Sequence, residues 1–298
     1  MDDGITPAPK GVIGDEGGSM LQGKQGNAAY AAMWNAYHSD YARFETRLLP
    51  AFPWNRGEPE DVARYIRGED GFWHNPAACQ SNAALLSLTG DLMCEPRQHH
   101  AYRYGDSYFF HPTFQFVRGI LKNSDFAVGN LETTLTDATP YAGEYHRIAG
   151  KYHCNAPACY LDAIRYAGFD ALVNANNHNC DSTVTGVVDT LHALDGRGFM
   201  HTGLFLPGEA ERVLLARVNG IRIAVLSYAT YFNKHDACLS EEGKRALLNP
   251  YSKQRAEADV AYAKMRGAQF ILAYIHWGKE YTHEPNDEQR LRAKELAD

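Results

Sequence analysis

Three observations predict an α/β fold. From Ala83 onward, short apolar runs alternate with segments of helical spacing, as in strands laid side by side with helices packed over them. The runs Ala84 to Leu88, Phe126 to Val128, Asp170 to Val173 and Gln269 to Ile275 each lead into a polar cluster. Those clusters are Thr89-Gly90-Asp91, Gly129-Asn130-Leu131-Glu132-Thr133, Asn174-Ala175-Asn176-Asn177-His178 and Ile275-His276-Trp277-Gly278. A parallel sheet carries all four to one edge, where open α/β sheets bind their ligands. The chain's 298 residues, 45% of them hydrophobic, suffice for one α/β domain with an extension.

In chain order, residues 1–80 read as an accessory N-terminal extension and residues 81–298 as the α/β domain. The extension opens with a Gly/Pro-rich segment through Gly26. Between Ala28 and Leu49, Tyr30, Met33, Trp34, Tyr37, Tyr41 and Phe44 recur at three- and four-residue intervals, which predicts a packed helix. Pro50, Pro53 and Pro59 break that pattern, and Pro59 to Arg67 reads as a short helix. In the domain, helices are expected over Thr113 to Lys122, Pro157 to Ala167 and Ser182 to Arg197. Pro157 suits a first helical turn and Gly168 a helix C-terminal cap. Val213 to Val218 and Ile221 to Tyr228 flank Asn219-Gly220, a favoured two-residue hairpin turn, so the sheet is expected to be mixed. A helix from Lys253 to Arg266 precedes the strand ending at Ile275, and the residues from Glu288 read as helical to Asp298.

Composition excludes some functions. Lys and Arg total 29 against 36 Asp and Glu, a net charge of -7 that offers no basic footprint for nucleic acid. The start, Met1-Asp2-Asp3-Gly4-Ile5-Thr6-Pro7, has neither a basic nor an apolar leader region, and no run approaches about 18 apolar residues, so the chain reads as cytoplasmic. The 6 cysteines contain no C-x-x-C pair and read as free thiols, with Cys180 a buried structural one.

The clusters supply the donors of a metal-dependent hydrolytic site. Such a centre uses hard oxygen ligands and imidazole nitrogens held on strand ends, so that one or two ions clamp a phosphoryl group. Asp91, Asn130, Glu132, Asn177 and His276 offer carboxylate, amide and imidazole donors. His178 can face the substrate as an acid–base group, with Asp181 fixing its tautomer. Each residue has a plainer reading: Asp91 a turn cap, Asn130 and Glu132 a turn and an exposed charge, His276 a core histidine satisfied by backbone. Three asparagines and a histidine within Asn174 to His178 are a costly way to build an ordinary turn. His99, His100, His111, His146 and His153, between the clusters, read as solvated loop residues.

The same segments carry a resemblance. Thr89-Gly90-Asp91-Leu92-Met93, Gly129-Asn130-Leu131-Glu132-Thr133, Ala167-Gly168-Phe169-Asp170, Ala175-Asn176-Asn177-His178-Asn179-Cys180-Asp181, Val218-Asn219-Gly220 and His276-Trp277-Gly278-Lys279-Glu280-Tyr281 follow one another in this order. From Leu85 to Asp298 the chain resembles the bacterial capsule-synthesis (CapA, or PGA_cap) family. This is a branch of the calcineurin-like metallophosphatase superfamily associated with poly-gamma-glutamate capsule assembly. The resemblance implies a four-layer α/β/β/α sandwich, metal-ligand roles for Asp91, Glu132 or Asn130, Asn177 and His276, and a catalytic His178. Met93 stands where classical metallophosphatases place the histidine of an Asp-x-His pair, and the family's Gly-His-x-Pro-His segment falls beyond Asp298, so the domain reads as C-terminally incomplete. Family members are often exported or membrane-anchored, unlike the cytoplasmic reading of this start.

Two functions follow as expectations. One is a phosphoesterase-type hydrolase using one or two divalent ions (Mn, Fe or Zn) on a small-molecule or polymer substrate. The other is a non-catalytic scaffold among capsule-assembly proteins, motivated by Met93 and the absent histidines. The tyrosine-rich stretches Tyr102 to Tyr108 and Tyr141 to Tyr152 suggest an aromatic and polar lining for the cleft.

Overall fold

A computed structural model describes residues 62–78, 81, 83–141 and 153–297. The helix expected over Ala28 to Leu49 lies outside the described residues.

The strands are β1 (Ile66–Arg67), β2 (Trp73–His74), β3 (Leu86–Leu92), β4 (Arg103–Tyr104), β5 (Ser107–Tyr108), β6 (Phe126–Leu131), β7 (Thr134–Leu135), β8 (Asn155–Ala156), β9 (Ala171–Val173), β10 (Met200–Thr202), β11 (Leu214–Val218), β12 (Ile221–Ala229) and β13 (Phe270–His276). The helices are α1 (Pro96–Ala101), α2 (Gln115–Lys122), α3 (Tyr160–Ala167), α4 (Thr183–Gly196), α5 (Glu241–Leu247), α6 (Lys253–Met265) and α7 (Asp287–Ala297). One sheet, ordered β10-β9-β6-β3, is wholly parallel. The other, ordered β1-β2-β11-β12-β13, is mixed: β1/β2 and β11/β12 pair antiparallel, β2/β11 and β12/β13 parallel. Asn219 and Gly220 turn the β11–β12 hairpin with φ of 50° and 90°, as a type I′ turn requires.

Side-chain alternation along the strands sorts the core into layers. Phe126, Val128, Ala171 and Val173 of the parallel sheet meet Leu214, Ala216, Val218, Ile223 and Val225 of the mixed sheet between the two. Ala127, Leu131 and Leu172 face the opposite way, onto Leu121 of α2, Leu161 and Ile164 of α3 and Leu194 of α4. Leu215, Ala224 and Leu226 pack outward on Ala256 and Ala263 of α6, with Leu296 of α7 joining them. The described residues thus form an α/β/β/α sandwich, as the resemblance implies, and the hydroxyl of Tyr274 in β13 ties the sheets by donating to the Val128 carbonyl at 3.1 Å.

Several local expectations need correction. Residues 62–67 carry no helix; Ile66–Arg67 form β1, so part of the stretch placed in the N-terminal extension contributes strands to the mixed sheet. Pro157 lies in a turn ahead of α3, its carbonyl accepting from the Tyr160 amide, while Gly168 caps the helix at φ 108° as expected. His99 and His153 are buried: the packed aromatic rings of Tyr108, Phe110 and Tyr141 enclose His99, and its Nε2 lies 3.1 Å from the Asn155 carbonyl. His146 lies outside the described residues. Cys94, Cys154, Cys159, Cys180 and Cys238 are free, and Cys180 packs with Val187, Leu191 and Leu204.

Asp170 explains why its motif reads Gly-Phe-Asp. Its carboxylate, 2% exposed as a residue, accepts from the Ala127 amide and receives Arg64 through both oxygens, at 2.8 and 2.5 Å. Burial raises this carboxyl, and the Arg64 bonds oppose the rise. Arg64→Ala leaves the carboxyl buried and unpaired, so urea unfolding is expected to show a loss of about 3 kcal/mol; a loss under about 0.5 kcal/mol would show that water replaces the guanidinium.

Candidate active site

The polar clusters meet where β3, β6, β9 and β13 end, and β3 and β6 pack closely there. β3 carries a bulge between Leu88 and Asp91, against Val128 and Asn130 of β6, which re-aims Asp91 at the sheet's C-terminal edge. Gly129 allows the approach: a Cβ there would lie 2.7 Å from Leu92 Cδ1 and 2.9 Å from the Phe169 ring. Both strands run further than their apolar stretches suggest, so Asp91 and Asn130 lie within regular β structure.

Asp91, Glu132 and His276 each present a ligand atom, all within 4.8 Å of one another. His276 Nε2 is 3.6 Å from Glu132 Oε1, and its Nδ1 is 3.9 Å from Asp91 Oδ1. Asn130 sits between them, donating from Nδ2 to Asp91 Oδ1 at 2.7 Å with His276 Nδ1 at 3.4 Å, while its Oδ1 accepts from Asn176 at 3.1 Å. The Asp91 side chain is 49% exposed, so the group opens to solvent on that side, whereas Glu132 is buried.

The electrostatics of this group favour a cation. Burial, then the neighbouring Asp91 carboxyl, pushes Glu132 up to about 9. Two carboxyls this close do not both ionise unless a positive charge separates them. Glu132 Oε2 is buried without a hydrogen-bond partner, as is Asn177 Oδ1. Burial lowers His276, opposed by Asp91, and so keeps its imidazole in the neutral form that ligates metals. Unpartnered oxygens, a carboxyl pair sharing a proton and a neutral imidazole fit a divalent ion.

Residues 174–181 build the adjoining loop from their own side chains. Asn174 Oδ1 accepts from the Leu204 amide, Asn179 donates to the Asn174 carbonyl and accepts from the Asn176 amide, and Asn176 Oδ1 accepts from the His178 amide. Asn176 also reaches the Leu131 carbonyl at 2.8 Å, fastening the loop to β6. Of the three asparagines before His178, Asn174 and Asn176 therefore shape the backbone. Asn177 keeps its side-chain oxygen unbonded. His178 donates from Nδ1 to Asp181 Oδ2 at 2.6 Å, and its Nε2 lies 3.7 Å from Glu132 Oε1.

All seven residues singled out in the sequence, Asp91, Asn130, Glu132, Asn177, His178, Asp181 and His276, lie in these two adjoining groups. Three neighbours were not singled out for the site. His153 and His235 join Asp181, and the Tyr231 ring lies 5.8 Å from His276. Burial and the charges of Glu132 and Glu280 raise the Tyr231 hydroxyl, which keeps it a hydrogen-bond donor beside the carboxyls. His235 and Tyr231 follow the end of β12, where the polar run Asn233-Lys234-His235-Asp236 is the sequence signal that could have found His235.

The chain is 28% identical over 231 residues to the "Capsule biosynthesis protein CapA" of Bacillus anthracis, covering 75% of this chain and 54% of that protein. It is also 28% identical over 187 residues to the "PGA biosynthesis protein CapA" of Bacillus subtilis, covering 62% and 47% respectively. An uncharacterized Sinorhizobium fredii protein is 34% identical over 159 residues, covering 50% of this chain and 33% of its own length. The chain thus spans about half the length of the first two relatives. The model of the bacterial capsule synthesis protein PGA_cap matches residues 85–298, the stretch that holds every strand and loop of the site, and the chain belongs to that family.

Proposed function

We propose that this chain is a metal-dependent hydrolase of phosphoester-type bonds serving capsule or poly-gamma-glutamate assembly. The observation that carries the reading is the carboxyl pair of Asp91 and Glu132 closed by His276, with Glu132 raised by burial and then by its Asp91 neighbour. Asp91, Glu132 and His276 would hold the ion, and Asn177 would add its unbonded amide oxygen. Both ends of the Asn130 amide are engaged, so Asn130 aligns Asp91 and His276 and Glu132 takes the ligand position. When bound, a divalent ion polarises a phosphoryl oxygen and acidifies water. With Nδ1 committed to Asp181, His178 turns Nε2 toward the site, where it would donate to the leaving oxygen.

A mixed oxygen and imidazole set suits Mn, Fe or Zn. The half-exposed Asp91 side admits a small-molecule or polymer substrate. A second reading, a non-catalytic scaffold, draws on Met93, which leaves no imidazole two residues after Asp91. Hydrolysis of bis-p-nitrophenyl phosphate with added Mn separates the two. Turnover lost in His276→Ala supports the hydrolase, and no turnover with any of the three metals supports the scaffold. No helix among the described residues is long and apolar enough to cross a membrane.

A further inference from the structure

Asp181 is gripped from more than one side. Its Oδ2 accepts from His178 Nδ1 and from the Cys154 backbone amide, each at 2.6 Å. Its Oδ1 accepts from Nδ1 of His235, also at 2.6 Å. The His153 ring stacks on His235, with centroids 5.0 Å apart and planes 13° from parallel, and its Nδ1 lies 2.7 Å from the Asp181 backbone carbonyl. Burial favours the neutral acid, yet the imidazole hydrogen bonds outweigh it and hold the Asp181 carboxyl below its ordinary range.

The backbone delivering His235 is unusual. Asn233 and Lys234 both adopt left-handed conformations, with φ of 51° and 63°. Such conformations are strained for a residue with a side chain and persist where surrounding contacts hold them. Here the 3-10 turn His235–Cys238 is pinned to α5 by the 3.0 Å pair of Lys244 with Asp236. A strained, anchored turn thus places one imidazole against the second oxygen of the carboxylate that orients His178.

We propose that His235 is a positioning residue for His178, acting through the carboxylate of Asp181 that the two histidines share. The proposal rests on the reading of His178 as the acid–base group. A carboxylate held through one oxygen rotates readily, because its terminal torsion is broad. Anchoring Oδ1 removes that rotation and keeps Oδ2 aimed at His178, as outer partners of metal-site histidines do. The anchoring hydrogen bond occupies Oδ1 of Asp181 and Nδ1 of His235, so neither of those two atoms is offered to an ion.

Two amide variants test this. His235→Asn keeps an amide donor close to the position of Nδ1, whereas His235→Gln moves it outward by one bond. In protein labelled with nitrogen-15 histidine, the hydrogen-bonded His178 Nδ1–H proton, assigned by its loss in His178→Gln, is expected to persist in His235→Asn and to broaden or vanish in His235→Gln. In the phosphodiester assay, His235→Gln is expected to lower kcat about 10- to 100-fold with little change in KM, and His235→Asn to stay within about 3-fold of wild type. An unchanged His178 signal in His235→Gln, or equal losses in both variants, would overturn the proposal. The proton signal does not depend on turnover, so a wild type without hydrolysis counts against the proposed function while the signal still decides the role of His235.

Discussion

His178→Ala is expected to lower turnover of a phosphodiester about 100-fold or more while metal content stays at the wild-type level. The size follows from the role. His178 is anchored by Asp181 through Nδ1, and its Nε2 lies 3.7 Å from Glu132 Oε1, beside the ion's ligands without being placed among them. On the proposed mechanism, losing the ring takes away the proton donor to the leaving oxygen and leaves Asp91, Glu132 and His276 in place. Metal analysis and steady-state kinetics on the same preparation check both halves. Turnover within about 3-fold of wild type would remove His178 from the chemistry, and loss of metal together with turnover would make it a ligand.

Glu132→Gln is expected to abolish metal binding and to stabilise the metal-free protein at alkaline pH. The sign follows from Glu132 at about 9 in the fold against an ordinary 4.5. Between those values the unfolded chain has released this proton and the folded chain retains it, so the contribution of Glu132 to metal-free stability falls as pH rises through the window. The slope is at most about 1.4 kcal/mol per pH unit. Glutamine copies the protonated acid and removes that slope, so the variant's melting temperature is expected to exceed wild type at pH 8 and to match it near pH 5. An ion displaces the same proton, so wild-type metal affinity is expected to fall about tenfold for each pH unit below about 9. Calorimetric titration at pH 6, 7 and 8 reads the dependence. A flat affinity, or a Glu132→Gln variant that binds normally, would separate Glu132 from the ion.

Much of this arrangement was legible in the sequence because it depends on local signals. Apolar runs ending in polar clusters marked the strand ends, Asn219-Gly220 marked the hairpin, and Gly168 marked the end of α3. The four-layer order follows from the family resemblance, and the structure carries it in alternation: Phe126 and Val128 face the mixed sheet while Ala127 faces the helices. What escaped depends on contacts between distant segments. The bulge that re-aims Asp91 arises from pairing with β6, which a single strand's sequence does not reveal. His99 and His153 looked like solvated loop residues and are buried by packing of segments far apart in sequence. His235 lies in the polar run Asn233 to Asp236 after β12, but its place beside His178 is set by two left-handed residues and by a carboxylate 54 positions away. The asparagine-rich loop was read as chemistry, and its side chains divide between shaping the backbone and offering one unbonded oxygen.

Metal content after equilibration with Mn, Fe and Zn, measured by mass spectrometry on the wild type and on His276→Ala, bears on all of this at once. The geometry of Asp91, Glu132 and His276 predicts about one ion per chain in the wild type, lost in the variant. A wild type that binds none of the three, while folding normally, would contradict the metal centre and leave the scaffold reading in its place.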